Sequence, residues 1–483
     1  MARPIMLQGT MSNVGKSFLT AALCRIFRQD GYRVAPFKSQ NMALNSFITT
    51  DGAEIGRAQA MQAQAAGIEP DARMNPVLLK PTTDVGSQVI VNGQVWRDMS
   101  AKVYFSRKTE LLPEILNAYE SLSAEYDILV IEGAGSPVEL NLKADDIVNM
   151  GLAKLVKSPV LLVGDIDRGG VFAQLLGTLD LLESDERALV RGLIVNQFRG
   201  DVSLFSDGIR ILEQRGNVPV LGVVPFTRVD IEDEDSLSHK LDTLGNAGLI
   251  DIAIIRLPRI SNFTDFDVFS QYEGVSVRYV SRYEALGSPD LVLLPGTKST
   301  LSDLRWLRTS GMEAAILRLA SKKVPVFGIC GGYQMLGERI RDPEHAEGGG
   351  EIAGMGLLSG ETVFTSKKCQ TQAKGILPQI SSGFWSCLSG AAFEGYEVHM
   401  GRTPGGILSV RDNIAGSYVH GIFDRADVSE RLVRALFARR GIHFDGRGTD
   451  RAAYREEQFD LLADAVRKAL DMEKIYRMLE EGV

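Results

Sequence analysis

A run of apolar residues, Val324–Ile329, ends on a cysteine set among glycines and continues as Tyr333-Gln334-Met335-Leu336. Few folds accept that arrangement. A buried strand has to turn sharply into a helix, and the side chain at the turn is pushed out at the carboxyl edge of a sheet. Gly328 and Gly332 stand two residues to either side of Cys330, where larger side chains would clash within the turn. The pattern predicts a parallel-sheet α/β unit carrying a nucleophile at Cys330. Backbone N–H groups near Gly331 would lower the thiol pKa and hold an oxyanion. The competing reading is an inert buried thiol; the G-x-C-x-G-x-Q spacing, with Gln334 beside the candidate glutamine site, favours the nucleophile.

A cysteine nucleophile needs a base, and the chain has five histidines. His420 ends an apolar stretch, Tyr418-Val419-His420-Gly421, and is the candidate base because it follows the last strand of the second half. His399, in Gly395–Gly401, is a pocket or structural residue. His239, His345 and His443 lie among charged residues and are expected at the surface. Gly296 closes the strand Leu291–Leu294 and is a second candidate oxyanion donor.

The first half opens with a short strand, Ile5–Leu7, followed by Gly9-Thr10-Met11-Ser12-Asn13-Val14-Gly15-Lys16-Ser17. This is a phosphate-binding loop. Backbone N–H groups from Thr10 and Asn13 to Gly15 cradle phosphates, Lys16 reaches the outer oxygens, and Ser17 offers a hydroxyl to Mg²⁺. The glycine that usually opens such a loop falls one residue early, and Thr10 stands in its place. The strand Arg33–Lys38 brings Lys38 to the same sheet edge. Gln40 and Asn41 follow in a polar loop and are candidate substrate contacts. Asp51 is either a second Mg²⁺ ligand or a helix cap. Lys80 to Asp84 forms a polar turn facing substrate or solvent. The buried strand Tyr126–Ile131 ends in Glu132, the expected acidic partner of the metal. Asp145 and Asp146 are first of all capping residues, with metal or acceptor binding by Asp146 as the alternative. Asn196, at the tip of another buried strand, either reads adenine or caps a turn.

Strands alternating with helical patterns continue through both halves, so the fold class is α/β with two doubly wound, mostly parallel sheets. A chain of 483 residues exceeds one core. Residues 1–245 form a nucleotide- and substrate-binding unit, 250–445 the cysteine-bearing unit, and 446–483 a helical extension expected to pack on the second unit. A net charge of -8 argues against nucleic acid as the main partner. No apolar run is long enough to span a membrane, and no signal segment opens the chain, which makes the cytoplasm the expected location. Cys24, Cys330, Cys369 and Cys387 show neither zinc nor disulfide spacing.

Taken together, the loop Gly9–Ser17, the strand ending Glu132-Gly133-Ala134-Gly135, the elbow at Cys330 and Tyr418–Gly421 resemble the cobyric acid synthase family. The loop itself is similar to that of dethiobiotin synthetase. Ser39–Ser46, Phe327–Leu336 and Gly395–Gly401 carry the resemblance over nearly the whole chain. It implies a glutamine-hydrolysing carbon–nitrogen ligase of cobalamin biosynthesis. Such an enzyme uses Mg-ATP and glutamine to amidate the b, d, e and g carboxylates of adenosylcobyrinic acid a,c-diamide, with no bound organic cofactor. Small molecules (corrinoid, ATP, glutamine) are then its partners. The sister amidase that makes the a,c-diamide is the nearest rival, and a partitioning-type switch ATPase a more distant one. Class I glutamine amidotransferases carry Glu two residues past the histidine. Ile422 stands there, so a Cys330–His420 dyad is expected, with Asp424 and Glu397 left open as supporting acids.

Overall fold

In the computed structural model, residues 1–81, 86–231, 248–446 and 451–483 are described. Thr82 to Asp84, most of the acidic run 230–235, and His239 lie outside them. Two six-stranded sheets organise the chain. In the first, strands run in the order Val220–Pro225, Val190–Phe198, Val160–Asp165, Arg3–Gly9, Ile128–Glu132 and Val34–Phe37, and every neighbouring pair is parallel. Register sets Leu7 opposite Glu132, Gly9 opposite Val163, and Asp165 opposite Asn196. The polar residues at the strand tips therefore share one carboxyl edge, where open α/β sheets bind ligands.

Between Val34–Phe37 and Ile128–Glu132 the chain makes an excursion that periodicity alone did not outline. It contains a four-stranded sheet ordered Gln40–Met42, Val77–Pro81, Gly86–Val91 and Gln94–Ser100, and a hairpin of Ser46–Ile48 with Glu54–Gly56. The helix Arg57–Ala65 then leads back to the main sheet.

The second main sheet orders Val275–Val280, Ile250–Ile255, Leu291–Leu294, Val326–Ile329, Ile414–Ser417 and Ser409–Arg411. All pairs are parallel except the last hairpin. Beside it stands a four-stranded sheet whose longest strands, Glu361–Ile376 and Ala392–Arg402, run antiparallel.

The C-terminal helices, Arg451–Ala469 and Met472–Glu481, correct the expectation that they pack on the second unit. Phe459, Leu462, Ala463, Val466, Ile475 and Leu479 are buried in one cluster with Ile5, Leu7, Val163, Ile194 and Leu221 of the first sheet and Phe27 of the helix Lys16–Gln29. Arg25 reaches Glu456 and Asp460 at 2.7 Å, and Arg467 reaches Asp30 at 2.9 Å. The reason lies in strand alternation. Met6, Leu162 and Val195 face the helices Leu112–Glu125, Met150–Val156 and Val171–Leu181, whereas Ile5, Leu161 and Ile194 face the opposite side. On that side Lys16–Gln29 and Arg57–Ala65 cover only part of the sheet. Each apolar side chain that the final helices bury there contributes about 1.5–3 kcal/mol, more than the exposed ion pairs alongside.

No helix among the described residues is long and apolar enough to cross a membrane. Truncating Phe459 to Ala should cost about 3–5 kcal/mol and act on the first unit alone. Hydrogen exchange is expected to quicken in Arg3–Gly9 and Lys16–Gln29 while Val326–Leu336 stays unchanged.

Candidate active sites

The strand Val326–Ile329 ends at Cys330, whose φ of 50° and ψ of -110° are those of a strained turn. A Cβ on Gly328 would lie 2.7 Å from the Gly332 backbone, and one on Gly332 would lie 2.1 Å from Leu294 O. Both positions therefore admit only glycine. Cys330 N donates to Ser417 O at 2.9 Å, fixing the elbow to the neighbouring strand, and the thiol lies 3.6 Å from Val398 O. The following helix, Gly331–Leu336, has only six residues. Its local contribution is the Gly331 N–H rather than an extended macrodipole.

His420 lies close enough to Cys330 that each shifts the titration of the other. On its other side, His420 Nδ1 lies 2.7 Å from Asp265 Oδ2, and Gly421 N donates to Asp265 Oδ1 at 3.0 Å. The expected dyad is thus a Cys–His–Asp triad, with an acid that the sequence reading did not name. Neither open candidate serves: Asp424 closes a turn back to Gly421 O, and Glu397 Oε2 meets His399 Nε2 at 3.1 Å. A signal was present in Phe263-Thr264-Asp265-Phe266, since a carboxylate among phenylalanines has to find a partner.

Burial works against the charged form of His420, but Asp265 outweighs it and raises the imidazolium to about 9. Burial also opposes the Cys330 thiolate; His420, then His399 and the Gly331 N–H, bring the thiol below its ordinary value. The shifts have opposite sign, so a thiolate–imidazolium pair is favoured between them. His399 stacks on Tyr418 at 3.8 Å between ring centroids, and its Nδ1 lies 2.8 Å from Gly401 O. Burial opposes its charge too, yet Cys369, Glu397 and Cys330 hold it up to about 10.

Gly296 sits beside the base, where an added Cβ would come 3.0 Å from His420 Cε1. At Gly331 an added Cβ would meet the Thr297 side chain at 2.7 Å and Thr297 N at 3.1 Å. These backbones converge next to the thiol, as an oxyanion pocket requires. Gln334 is a different matter. It accepts from Thr300 Oγ1 at 3.1 Å and donates to Gly401 O and Tyr418 OH, each at 3.4 Å. The buried amide thus ties the elbow to Thr300, Gly401 and Tyr418.

At the edge of the first sheet, Gly9–Ser17 forms the phosphate loop, with Asn13 at φ 60° and Gly15 at φ 89°. Lys16 Nζ donates to Met11 O at 3.1 Å and to Gly135 O at 3.2 Å. Thr10 Oγ1 donates to Gln174 Oε1 at 3.2 Å. Ser17 Oγ donates to Glu132 Oε1 at 2.9 Å, and Lys38 Nζ reaches the same oxygen at 2.8 Å. Burial opposes ionisation of Glu132, but Lys38, Gln62 and Lys16 hold its carboxyl below the usual range. Ser17 and Glu132 thus form an all-oxygen pair suited to Mg²⁺.

Three further sequence candidates have protein partners of their own. Asp51 is exposed at the tip of the hairpin Ser46–Gly56, where Thr49 Oγ1 donates to it; no contact among the described residues joins it to Ser17 or Glu132. Asp146 accepts from the N–H groups of Val148, Asn149 and Gly151 at 2.8–2.9 Å, the capping role expected first of it. Asn196 Nδ2 donates to Val14 O at 2.8 Å, and its amide therefore shapes the loop before it can read a base. In the excursion, Tyr104 OH donates to Gln40, and Asn41 Nδ2 donates to Gln59 Oε1 at 2.9 Å.

Residues 5–237 match the family model described as a CobQ/CobB/MinD/ParA nucleotide binding domain, and 251–428 the CobB/CobQ-like glutamine amidotransferase domain. A cobyric acid synthase of Lachnoclostridium phytofermentans is 54% identical, with 100% of both chains covered. One of Dehalococcoides mccartyi is 49% identical over 100% of both, and one of Citrobacter koseri is 50% identical over 100% of this chain and 99% of its own. The chain belongs to the cobyric acid synthase family.

In this family member the two sites are tied together by the excursion. Asn262 N donates to Asn45 Oδ1 at 2.6 Å, and Ser46 N donates back to Asn262 Oδ1 at 3.1 Å. Tyr396 OH donates to Ser46 O at 2.9 Å, while its ring stacks on His420 at 5.4 Å. Gln62 Nε2 donates to Glu132 Oε2 at 2.5 Å, anchoring the helix after the hairpin to the phosphate site.

The triad gives a pH prediction. Asp265→Asn removes the charge that raises His420, so the alkaline limb of glutamine hydrolysis, near pH 9 with Asp265 in place, should move to lower pH. The rate should fall about 10²-fold or more. Glutamate release followed across the pH range checks both.

Proposed function

We propose that the chain makes cobyric acid, amidating the b, d, e and g carboxylates of adenosylcobyrinic acid a,c-diamide with ammonia from glutamine and activation by ATP. The observation that carries this reading is the full-length likeness to cobyric acid synthases in a chain that has both a phosphate loop and a Cys330–His420–Asp265 triad. The second-half match favours it over a switch ATPase, which needs no triad. The relatives' names favour it over the sister amidase.

A carboxylate is a poor electrophile. Its oxygen attacks the γ-phosphorus of ATP, ADP leaves, and an acyl phosphate forms. Lys16 and Lys38 offset charge on the transferring group, and Ser17 and Glu132 would hold Mg²⁺, which supplies further charge neutralisation there. In the second half, the Cys330 thiolate attacks the side-chain amide carbon of glutamine. The tetrahedral oxyanion is held by backbone N–H groups around Gly296, Thr297 and Gly331. His420 passes its proton to the departing nitrogen, and ammonia leaves a thioester. The same imidazole then takes a proton from water, which attacks the thioester and frees glutamate. Ammonia attacks the acyl phosphate, expelling phosphate and leaving the amide. Asp265 keeps Nδ1 of His420 protonated and Nε2 directed at the thiol throughout. Use of ATP and glutamine as co-substrates favours a cytoplasmic location.

Replacing Cys330 with Ala should abolish glutamine-supported amidation while ammonium still supports it. Mass-resolved products from adenosylcobyrinic acid a,c-diamide should gain four amides stepwise in the native protein. Amidation of cobyrinic acid but not of its a,c-diamide would assign the chain to the sister reaction.

A further inference from the structure

Between the two sites the halves enclose a group of charges that neither half-reaction uses. Glu54 is fully buried; its Oε1 holds Lys80 Nζ at 2.5 Å and accepts from Ser46 Oγ at 2.7 Å, while Oε2 holds Lys368. Lys298 and Lys368 then converge on one neutral acceptor. Gln88 Oε1 lies 3.1 Å from Lys298 Nζ and 3.5 Å from Lys368 Nζ. Gln370 Nε2 adds a weak contact to Glu54 at 3.3 Å. Three lysine side chains, one from the first half and two from the second, therefore share the Glu54 carboxylate, the Gln88 amide and, for Lys80, the Ser46 hydroxyl at 2.9 Å.

The other acids near the cluster do not balance it. Glu347 faces Lys298, but burial raises its pKa to about 8, and it accepts from Thr300 Oγ1 and Leu301 N instead. Asp98 acts on Lys298 only through space and is exposed. Burial accordingly drives Lys298 down, and Lys368 to about 7, with the neighbouring lysines adding to both shifts. Among the described residues the cluster is short of negative charge. Buried cations held this way are stabilised by an incoming anion.

The position of the cluster indicates which anion. Lys298 directly follows Gly296-Thr297, which lie against His420 and Gly331. Glu54 opens the strand that leads through Arg57–Ala65 to Gln62, on Glu132 at the phosphate loop. Lys298 keeps part of its surface accessible. Ammonia from one side and a phosphoryl group from the other have to meet an acceptor lying between them.

We propose that Lys80, Lys298 and Lys368 form a binding site for a carboxylate of the acceptor, held between the glutaminase and phosphate sites. The proposal rests on the corrinoid amidation read above. Lys298→Gln is the primary test, because it touches Gln88 and leaves the Glu54 contacts intact; Lys368→Gln is the second variant, and Lys298→Arg keeps the charge. Binding of adenosylcobyrinic acid a,c-diamide is followed by its absorbance at several salt concentrations, and binding of Mg-ATP is measured separately. Each Gln variant should weaken corrinoid binding about tenfold or more and flatten its salt dependence, with Lys298→Arg recovering part of the loss. Native-like corrinoid binding by both Gln variants overturns the site. Weakened Mg-ATP binding with corrinoid binding intact also overturns it, and assigns the lysines to nucleotide phosphate. A native protein that binds no corrinoid overturns the functional reading itself, an outcome distinct from the other two.

Discussion

Asp265 and His420 are both buried, with 4% and 1% of their surfaces exposed, and neither charge is tolerable there alone. Asp265 comes from the segment after the strand Ile250–Ile255, and His420 from the turn after Ile414–Ser417. Their 2.7 Å contact joins elements far apart in the second sheet. It also fixes which imidazole nitrogen faces the thiol. The elbow strain at Cys330, the short helix and the converging backbones have chemical meaning only because that nitrogen is already aimed.

Both carboxyl-edge sites follow from the same topology. Parallel strands bring Gly9, Glu132 and Asn196 to one rim of the first sheet, and Leu294, Ile329 and Ser417 to one rim of the second. The sheets alone do not bring the rims together. The excursion between Val34–Phe37 and Ile128–Glu132 does so, by presenting Asn45, Ser46, Glu54 and Lys80 to the second half.

Local patterns made much of this legible. Apolar runs such as 126–131 and 159–164 mark buried parallel strands on their own, and the glycines around Cys330 dictate an elbow wherever they occur. The phosphate loop was equally plain, since Lys16, Ser17 and Glu132 act within motifs of short span or at strand tips. Partnerships set by tertiary contact were not visible. Asp265 lies 155 residues from His420, and no spacing rule connects them. Gln334 and Asn196 carry motif-like positions, yet their amides are engaged by Gly401 and Val14. The placement of the last helices was misjudged because an apolar stripe shows that a face is buried, not which sheet lacks cover. The uncovered side of the first sheet, near Leu161 and Ile194, decided it.

The reciprocal clasp between Asn45–Ser46 and Asn262, together with Tyr396 OH on Ser46, bears on how such a chain could be divided. Asn262 opens the short helical stretch that holds Asp265, and Tyr396 lies flat against His420. A gene split between the two halves would therefore yield a glutaminase subunit lacking external supports for its base. Those supports would return only on docking. Such a subunit would behave as an obligate partner rather than a portable module, and its fusion to an unrelated synthetase would have to carry the Asn45–Ser46 clasp along with it.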